Sequence, residues 1–96
     1  MPNVKCFVLI AENVVGKKQM GAEMAHAFDS SNTTEGYFFG QRSYDMLNGG
    51  VEVAFRATQE VANRLREIAW RYNGGAYASL IEYDSEAAWL DYVEGN

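Results

Sequence analysis

The 96-residue chain holds one cysteine, one proline and one histidine, and each scarcity excludes a class of protein. The single thiol, that of Cys6, cannot form an internal disulfide, and small secreted domains usually depend on such cross-links. We therefore expect a reducing, cytoplasmic setting. With His26 as its one imidazole, the chain has too few ligands for the usual metal sites, so we predict neither a metal nor a cofactor.

Long apolar runs are also missing. The longest, Val4–Glu12, is too short to span a bilayer, and its β-branched residues predict a strand buried on both faces. We expect helices to cover the face of Cys6 and Val8, and the face of Phe7 and Leu9 to reach the margin of the sheet. No cationic lead or cleavage site accompanies this run, so we expect no signal peptide and no membrane partner.

The last quarter of the chain contains no basic residue. Up to Arg71, eight basic residues balance eight acidic ones, so the net charge of −5 comes from five later carboxylates: Glu82, Asp84, Glu86, Asp91 and Glu94. Phosphate binding needs the opposite charge, so nucleic acid is not expected as a partner. These carboxylates predict contact with a basic protein surface, in the manner of a DNA mimic; a role in solubility is the alternative.

Apolar periodicity and turn residues divide the chain, taken as a single domain of residues 1–96, into strands and helices. Thr58 is a predicted helix N-cap, and Asn73-Gly74-Gly75 predicts the end of that helix. In the strand before Thr58, alternation points Val51, Val53 and Phe55 inward. The predicted segments, strand, helix, strand, strand, helix, strand and helix, are Val4–Glu12, Lys17 to near Asp29, Glu35–Tyr44, Val51–Ala57, Thr58–Tyr72, Ala76–Tyr83 and Glu86–Val93.

This order predicts a ferredoxin-like split βαβ fold: βαββαβ plus a short C-terminal helix, with a four-stranded antiparallel sheet and two helices on one face. A less regular α+β arrangement of the same elements is the alternative. The closing helix is too short to be stable alone. It docks either on its own open sheet face, over Phe7 and Leu9, or on a second subunit, and open sheet faces also favour a homodimer.

Trp70 is the most informative position on the second long helix. It lies about 180° from the buried stripe, on the polar side beside Arg66 and Asn63. Tryptophan and arginine are the residues most enriched at binding hot spots. The pattern predicts a partner-binding surface; the alternative is that the closing helix or a loop covers Trp70.

A second candidate site lies where the first strand passes into the first helix. Backbone N–H groups at Gly16, with the ammonium groups of Lys17 and Lys18, can hold a phosphate or carboxylate. The longer glycine-spaced loop of a P-loop, with its Ser or Thr after the lysine, is absent. The alternative interpretation is a solvated lysine pair at a helix start.

Two further patterns are interpreted as structural. Glu23, His26 and Asp29 recur every three residues, but a Glu-x-x-His metal half-site needs more ligands from other helices, so we expect an exposed polar face. Cys6 lies on an apolar strand face and is interpreted as a small core residue rather than a nucleophile. No Ser-His-Asp spacing typical of hydrolases occurs, and we predict no enzyme.

The segment EGYFFGQ, residues 35–41, resembles the aromatic signature of RNA-recognition domains, in which bases stack on rings of an open sheet face. That signature belongs to the third strand of the split order and opens with a basic residue. Here the segment falls on the second strand and opens with Glu35. Aromatic core packing is the alternative that we favour.

Three functional hypotheses follow. The first is a non-enzymatic, acidic protein-binding module, in sharper form an inhibitor that occupies a basic surface of a nucleic-acid-handling protein. In profile it resembles the small acidic inhibitors that phages encode against bacterial defences. The second is a regulatory domain that binds a small anion at Asn13–Lys18. The third is an RNA-binding sheet.

Overall fold

The computed structural model describes residues 4–29, 37–44 and 50–95, and the side chains of residues 28, 29, 37–44 and 95 lie outside that description. No helix within these ranges has the length and apolar character needed to cross a membrane. The bounds of the elements are β1 Lys5–Ala11, α1 Lys17–Asp29, β2 Tyr37–Tyr44, β3 Gly50–Ala57, α2 Gln59–Tyr72, β4 Ala78–Tyr83 and α3 Glu86–Gly95.

The strands pair antiparallel in the order β2-β3-β1-β4, so β1 lies between β3 and β4. In the β1–β3 register Phe7 lies opposite Phe55, and their stacked rings are 5.5 Å apart between centroids. Cross-strand aromatic pairs of this kind stabilise a sheet and help to fix its register. The strand with the most continuous apolar run therefore occupies one of the two central places in the sheet.

Helices α1 and α2 cover one face of the sheet. Their apolar stripes enclose Met20, Met24 and Leu65, whose side chains are fully buried. Helix α2 begins as predicted, because the hydroxyl of Thr58 accepts a hydrogen bond from the amide of Val61 over 3.3 Å. This layer also contains Phe7, Leu9, Ala11, Val51, Val53, Phe55, Val61 and Ile68. The predicted inward orientation of Val51, Val53 and Phe55 is thus confirmed.

The faces of β1 are the reverse of the predicted ones. Phe7 and Leu9 face α1 and α2, whereas Cys6 and Val8 belong to a smaller cluster on the opposite side of the sheet. Both faces are apolar, so the alternation of side chains shows that there are two faces but does not say which one the long helices cover. We attribute the outcome to size, because the larger Phe7 and Leu9 fill the larger layer.

Helix α3 covers this second face. The hydroxyl of Ser85 accepts a hydrogen bond from the amide of Ala88 over 3.1 Å and caps the first turn. Trp89 is completely buried over Cys6 and Val8, and its indole Nε1 donates a hydrogen bond to the main-chain oxygen of Phe7 over 2.9 Å. Burying one indole removes roughly 200 Å² from water, worth about 5 kcal/mol before entropy is counted.

The predicted fold class therefore needs correction. The ferredoxin-like prediction placed two helices on one face of a four-stranded sheet, whereas the described residues form three helices distributed over both faces. The strands whose side chains are described form a three-stranded antiparallel unit, β3-β1-β4, between these helical layers. The protein is of the α+β class. No open sheet face remains on β1 for the pairing of subunits that the sequence suggested.

Some predicted features lie outside the described part of the chain. Asn48-Gly49-Gly50 predicts a turn before β3, and residues 45–49 lie outside the described residues, as does Glu35. Helical periodicity predicts an apolar stripe of Met20, Met24, Ala27 and Phe28 on α1, and the side chain of Phe28 is likewise not described. Within that stripe Met20, Met24 and Ala27 are buried as expected.

Replacing Trp89 tests the role of α3. Trp89→Ala removes the buried indole and its hydrogen bond to Phe7, so we expect the free energy of unfolding to fall by about 3–5 kcal/mol. Trp70→Ala is the matched control and should change it by less than about 1 kcal/mol, because Trp70 is partly exposed. Urea unfolding followed by circular dichroism measures both, and equal losses would contradict the assigned role of Trp89.

Candidate functional site

Two loops meet at one end of the sheet, where β1 ends and β4 begins. The amide of Glu12 donates a hydrogen bond to the carbonyl oxygen of Tyr77 over 3.0 Å, and the amide of Val15 donates one to the carbonyl oxygen of Tyr72 over 2.9 Å. These bonds tie the β1–α1 loop to the end of α2 and to the α2–β4 loop. We call this region the loop end.

Asn73 fixes the loop that follows α2. Its side chain is buried; its Nδ2 donates to the carbonyl oxygens of Ala76 and Tyr77 over 3.3 and 3.1 Å, and its Oδ1 accepts from the amide of Gly75 over 3.1 Å. Gly74 and Gly75 have φ of 66° and 81°, a conformation that glycine adopts without strain. The predicted end of α2 at Asn73-Gly74-Gly75 is confirmed, and the loop is held in one shape.

Three large apolar side chains are exposed on these segments. Val15 is 78% exposed, Tyr77 57% and Trp70, in the last turn of α2, 39%. The main-chain oxygen of Trp70 accepts from the amide of Gly75 over 3.0 Å, so the helix end and the loop are joined directly. We use the name loop-end surface for Val15, Trp70 and Tyr77, the exposed apolar residues of these joined segments.

Arg66 extends this surface along the outer face of α2. Its guanidinium lies over the ring of Trp70, 4.8 Å from the ring centroid, which is a cation–π contact. Within the described ranges Arg66 makes no salt bridge. Asn63, predicted to belong to the same surface, is exposed and accepts a hydrogen bond from Gln59 over 3.0 Å. The structure thus brings Trp70 and Arg66 together, and Asn63 lies about 10 Å from Trp70 along the helix axis.

Val15 and Tyr77 were not predicted from the sequence. Both lie in loops, where no periodicity marks a side chain as inward or outward. The asparagine and glycines preceding Tyr77 indicate a rigid turn, and this is the one local signal that could have drawn attention to it.

Glu23 departs from the exposed polar face predicted for α1. Tyr72 donates a hydrogen bond from its hydroxyl to Glu23 Oε2 over 2.7 Å, and Arg71 pairs with Oε1. The hydrogen bond from Tyr72 and the adjacent Arg71 hold the pKa of Glu23 below its usual value, and the same bond raises the pKa of Tyr72. Glu23 therefore joins α1 to α2, while His26 is exposed and the side chain of Asp29 is not described.

Metal-ligating side chains are not gathered anywhere in the described part of the chain, where no three of His, Cys, Asp and Glu converge.

The acidic residues at the C-terminal end are all exposed, but basic residues from other strands reach two of them. Lys5 Nζ lies 3.4 Å from Glu82 Oε1, and Arg56 Nη1 lies 2.9 Å from Glu86 Oε1. Asp84, Asp91 and Glu94 form no ion pair with any described residue. The predicted acidic surface is therefore smaller than the sequence suggests, because β1 and β3 supply the bases that its own segment lacks.

A cleft of about 400 Å³ lies beside these ion pairs, between the start of β1 and the turn into α3. Cys6, which is buried, contributes to its wall together with Arg56 and Tyr83. Burial raises the pKa of the Cys6 thiol, and Arg56 only partly opposes this effect. A raised pKa leaves little thiolate at neutral pH, which is unfavourable for a nucleophile.

The anion-binding candidate has mixed features. Gly16 has φ of 80° and immediately precedes α1, with Lys17 half-buried and Lys18 exposed in the first turn. A side chain at Gly16 would be strained by this φ and would approach the ring of Tyr72 at 3.6 Å. However, the amide of Val15 is already bonded to Tyr72, so an anion would find one donor of this loop occupied.

The sheet surface needed for stacking of RNA bases is covered at β1 and β3. Trp89 and Val93 pack over Cys6, Val8 and Ala54 there. The aromatic side chains of β2, residues 37–44, lie outside the described set.

The link between Glu23 and Tyr72 predicts a pH dependence of stability. The folded-state pKa of Glu23 is depressed, so its stabilising effect is present at neutral pH and is lost as pH falls below 4.5 through that depressed value. Tyr72→Phe removes the main cause of the depression. We therefore expect this variant to be less stable than wild type at pH 7, with a difference that shrinks toward about pH 3.

Urea unfolding at both pH values measures the effect. Tyr77→Phe, which removes a hydroxyl from an exposed ring, is the control and should differ little from wild type at either pH. A Tyr72→Phe deficit that stays constant with pH would contradict the linkage.

Thiol labelling tests the environment of Cys6. Because the side chain is buried and its pKa is raised, we expect Ellman's reagent at pH 8 to react about 100-fold more slowly with the native protein than with protein unfolded in urea. A native rate equal to that of the unfolded chain would show that the thiol is accessible and ionised.

Comparisons with known proteins give a fold likeness and no family. No protein-family model matches the chain, and no curated protein matches it. A solved structure, that of the uncharacterized protein TM1266 from Thermotoga maritima, is similar with a TM-score of 0.52 and 9% sequence identity. The match covers 88% of this chain and 100% of that one. At this identity the likeness concerns the fold alone.

Proposed function

We propose that the protein is a non-enzymatic binding module that recognises another protein through the loop-end surface. The observation that carries this proposal is the exposure of Val15, Trp70 and Tyr77 on segments that the main chain holds together. Scattered exposed apolar residues are ordinary, but several of them on loops that are hydrogen-bonded to one another favour a site of interaction.

The composition of the surface supports the proposal. Tryptophan, tyrosine and arginine carry a large share of binding energy at protein interfaces, and Trp70, Tyr77 and Arg66 provide all three. Arg66 is held over Trp70, so its charge is presented next to an aromatic face. That charge has no ion-pair partner among the described residues, which favours a partner that brings a carboxylate.

The rigidity of the surface also supports it. Binding costs free energy whenever it immobilises a flexible loop. Here the buried amide of Asn73 and the bonds from Glu12 and Val15 already fix the loops in the free protein. Little ordering is therefore left for the partner to impose.

The sharper hypothesis, an inhibitor of a nucleic-acid-handling protein, depends on a different surface. Asp84 follows β4, whereas Tyr77 precedes it, so the two lie roughly 20 Å apart along the strand. The exposed carboxylates of Asp84, Asp91 and Glu94 favour basic groups at that end, and the ion pairs of Glu82 and Glu86 weaken this argument. We retain it as a second candidate.

Affinity capture with matched variants tests the proposal. The full chain, tagged and immobilised, is compared with Trp70→Ala/Tyr77→Ala and with Arg64→Ala, which alters an exposed residue elsewhere on α2. We expect the double variant to capture at least about tenfold less of a protein that both wild type and Arg64→Ala retain, since hot-spot truncations typically cost about 2 kcal/mol or more of binding free energy. Circular dichroism checks that all three fold.

Equal retention by wild type and the double variant would refute the loop-end surface. A protein lost instead from Asp84→Asn/Asp91→Asn/Glu94→Gln, and retained by the double variant, would favour the second candidate.

A further inference from the structure

Strand β4 forms one edge of the sheet. It pairs with β1 on one side, and among the described residues the strand order β2-β3-β1-β4 places no strand on the other. An edge strand presents main-chain N–H and C=O groups that can pair with another chain. The residues of β4 are partly or fully exposed beyond Ala78, and Ile81 is 38% exposed.

One hydrogen bond identifies the groups that face outward. The amide of Glu12 bonds to the carbonyl oxygen of Tyr77, in register with the β1–β4 ladder. Bonded and non-bonded positions alternate in an antiparallel pair, so Tyr77, Ser79, Ile81 and Tyr83 direct their main-chain groups toward β1. The main-chain groups of Ala78, Leu80 and Glu82 consequently point away from the sheet.

Features that usually protect an edge are missing from β4. The strand contains no proline and no lysine, and its register with β1 shows no bulge. Its one charged residue, Glu82, is paired with Lys5 of the same chain. The edge is therefore regular and close to neutral, although the whole chain carries a charge of −5.

We propose that β4 pairs antiparallel with β4 of a second copy, with Leu80 opposite Leu80 of that copy. The outward residues Ala78, Leu80 and Glu82 are spaced by two, so in this register each donates and accepts a hydrogen bond across the two-fold axis. Leu80 then meets an identical apolar side chain, and Glu82 lies opposite the small Ala78. The two Glu82 carboxylates are roughly 14 Å apart, beyond the screening length at 0.1 M salt.

The self-matching register is the reason to prefer a second copy over an unrelated peptide. A partner strand must be regular, neutral and apolar at its centre, and β4 of another copy meets these conditions. The shared strand is six residues long, so the interface is small and the expected dissociation constant is on the order of 10 μM.

Sedimentation equilibrium of the full chain from about 1 to 500 μM tests the proposal. Glu82→Pro removes an N–H that the β1–β4 ladder does not use and places a ring at the edge, so we expect a monomer at all concentrations. Glu82→Ala loses the same ion pair with Lys5 but keeps the N–H, so it should dimerise like wild type within about threefold.

Amide hydrogen exchange of the wild type gives a readout that needs no substitution. The amides of Ala78, Leu80 and Glu82 should become more protected as the concentration rises, while that of Ile81 should change little, because it is bonded to β1 already. A wild type that is monomeric at 500 μM, or a dimer that persists in Glu82→Pro, would overturn the proposal. Protection that rises at another surface would do so too.

Discussion

The burial of Trp89 is the interaction on which the C-terminal part of the structure depends. Helix α3 is ten residues long, too short to persist in water by itself, so its stability has to come from docking. The indole supplies that docking through its apolar area and through the hydrogen bond to the carbonyl oxygen of Phe7. Once α3 is in place, the hydroxyl of Tyr92 donates a hydrogen bond to the carboxylate of Glu52. Glu52 is buried, and a buried polar group is costly unless it is hydrogen-bonded.

The two ends of the sheet differ in their chemistry. At the α3 end, the ion pairs of Lys5 and Arg56 neutralise part of the acidic segment and border the cleft beside Cys6. At the loop end, polar groups are used internally by Asn73, and apolar side chains project outward. Charge and exposed apolar area are therefore separated along β4, and a partner can use one without the other.

Local patterns predicted the local features. The cap at Thr58, the inward residues of β3 and the outward position of Trp70 follow from capping chemistry and periodicity, which involve neighbours a few residues apart. The faces of β1 were assigned the wrong way round, because apolar residues on both sides leave the choice to packing volumes. The ion pair of Lys5 with Glu82 joins residues 77 apart, and no count along the sequence reveals such a contact. Val15 and Tyr77 were missed because loops carry no period.

The bond between Trp89 and Phe7 spans 82 residues of sequence, and this separation affects how the protein is made. During synthesis, β1 leaves the ribosome long before α3, so the apolar face of Cys6 and Val8 stays uncovered until α3 has also been translated. This face of β1 is covered only after α3 has emerged from the ribosome. Nascent chains that stall before this point would expose an apolar sheet face that favours aggregation, and we expect chaperones to bind such chains.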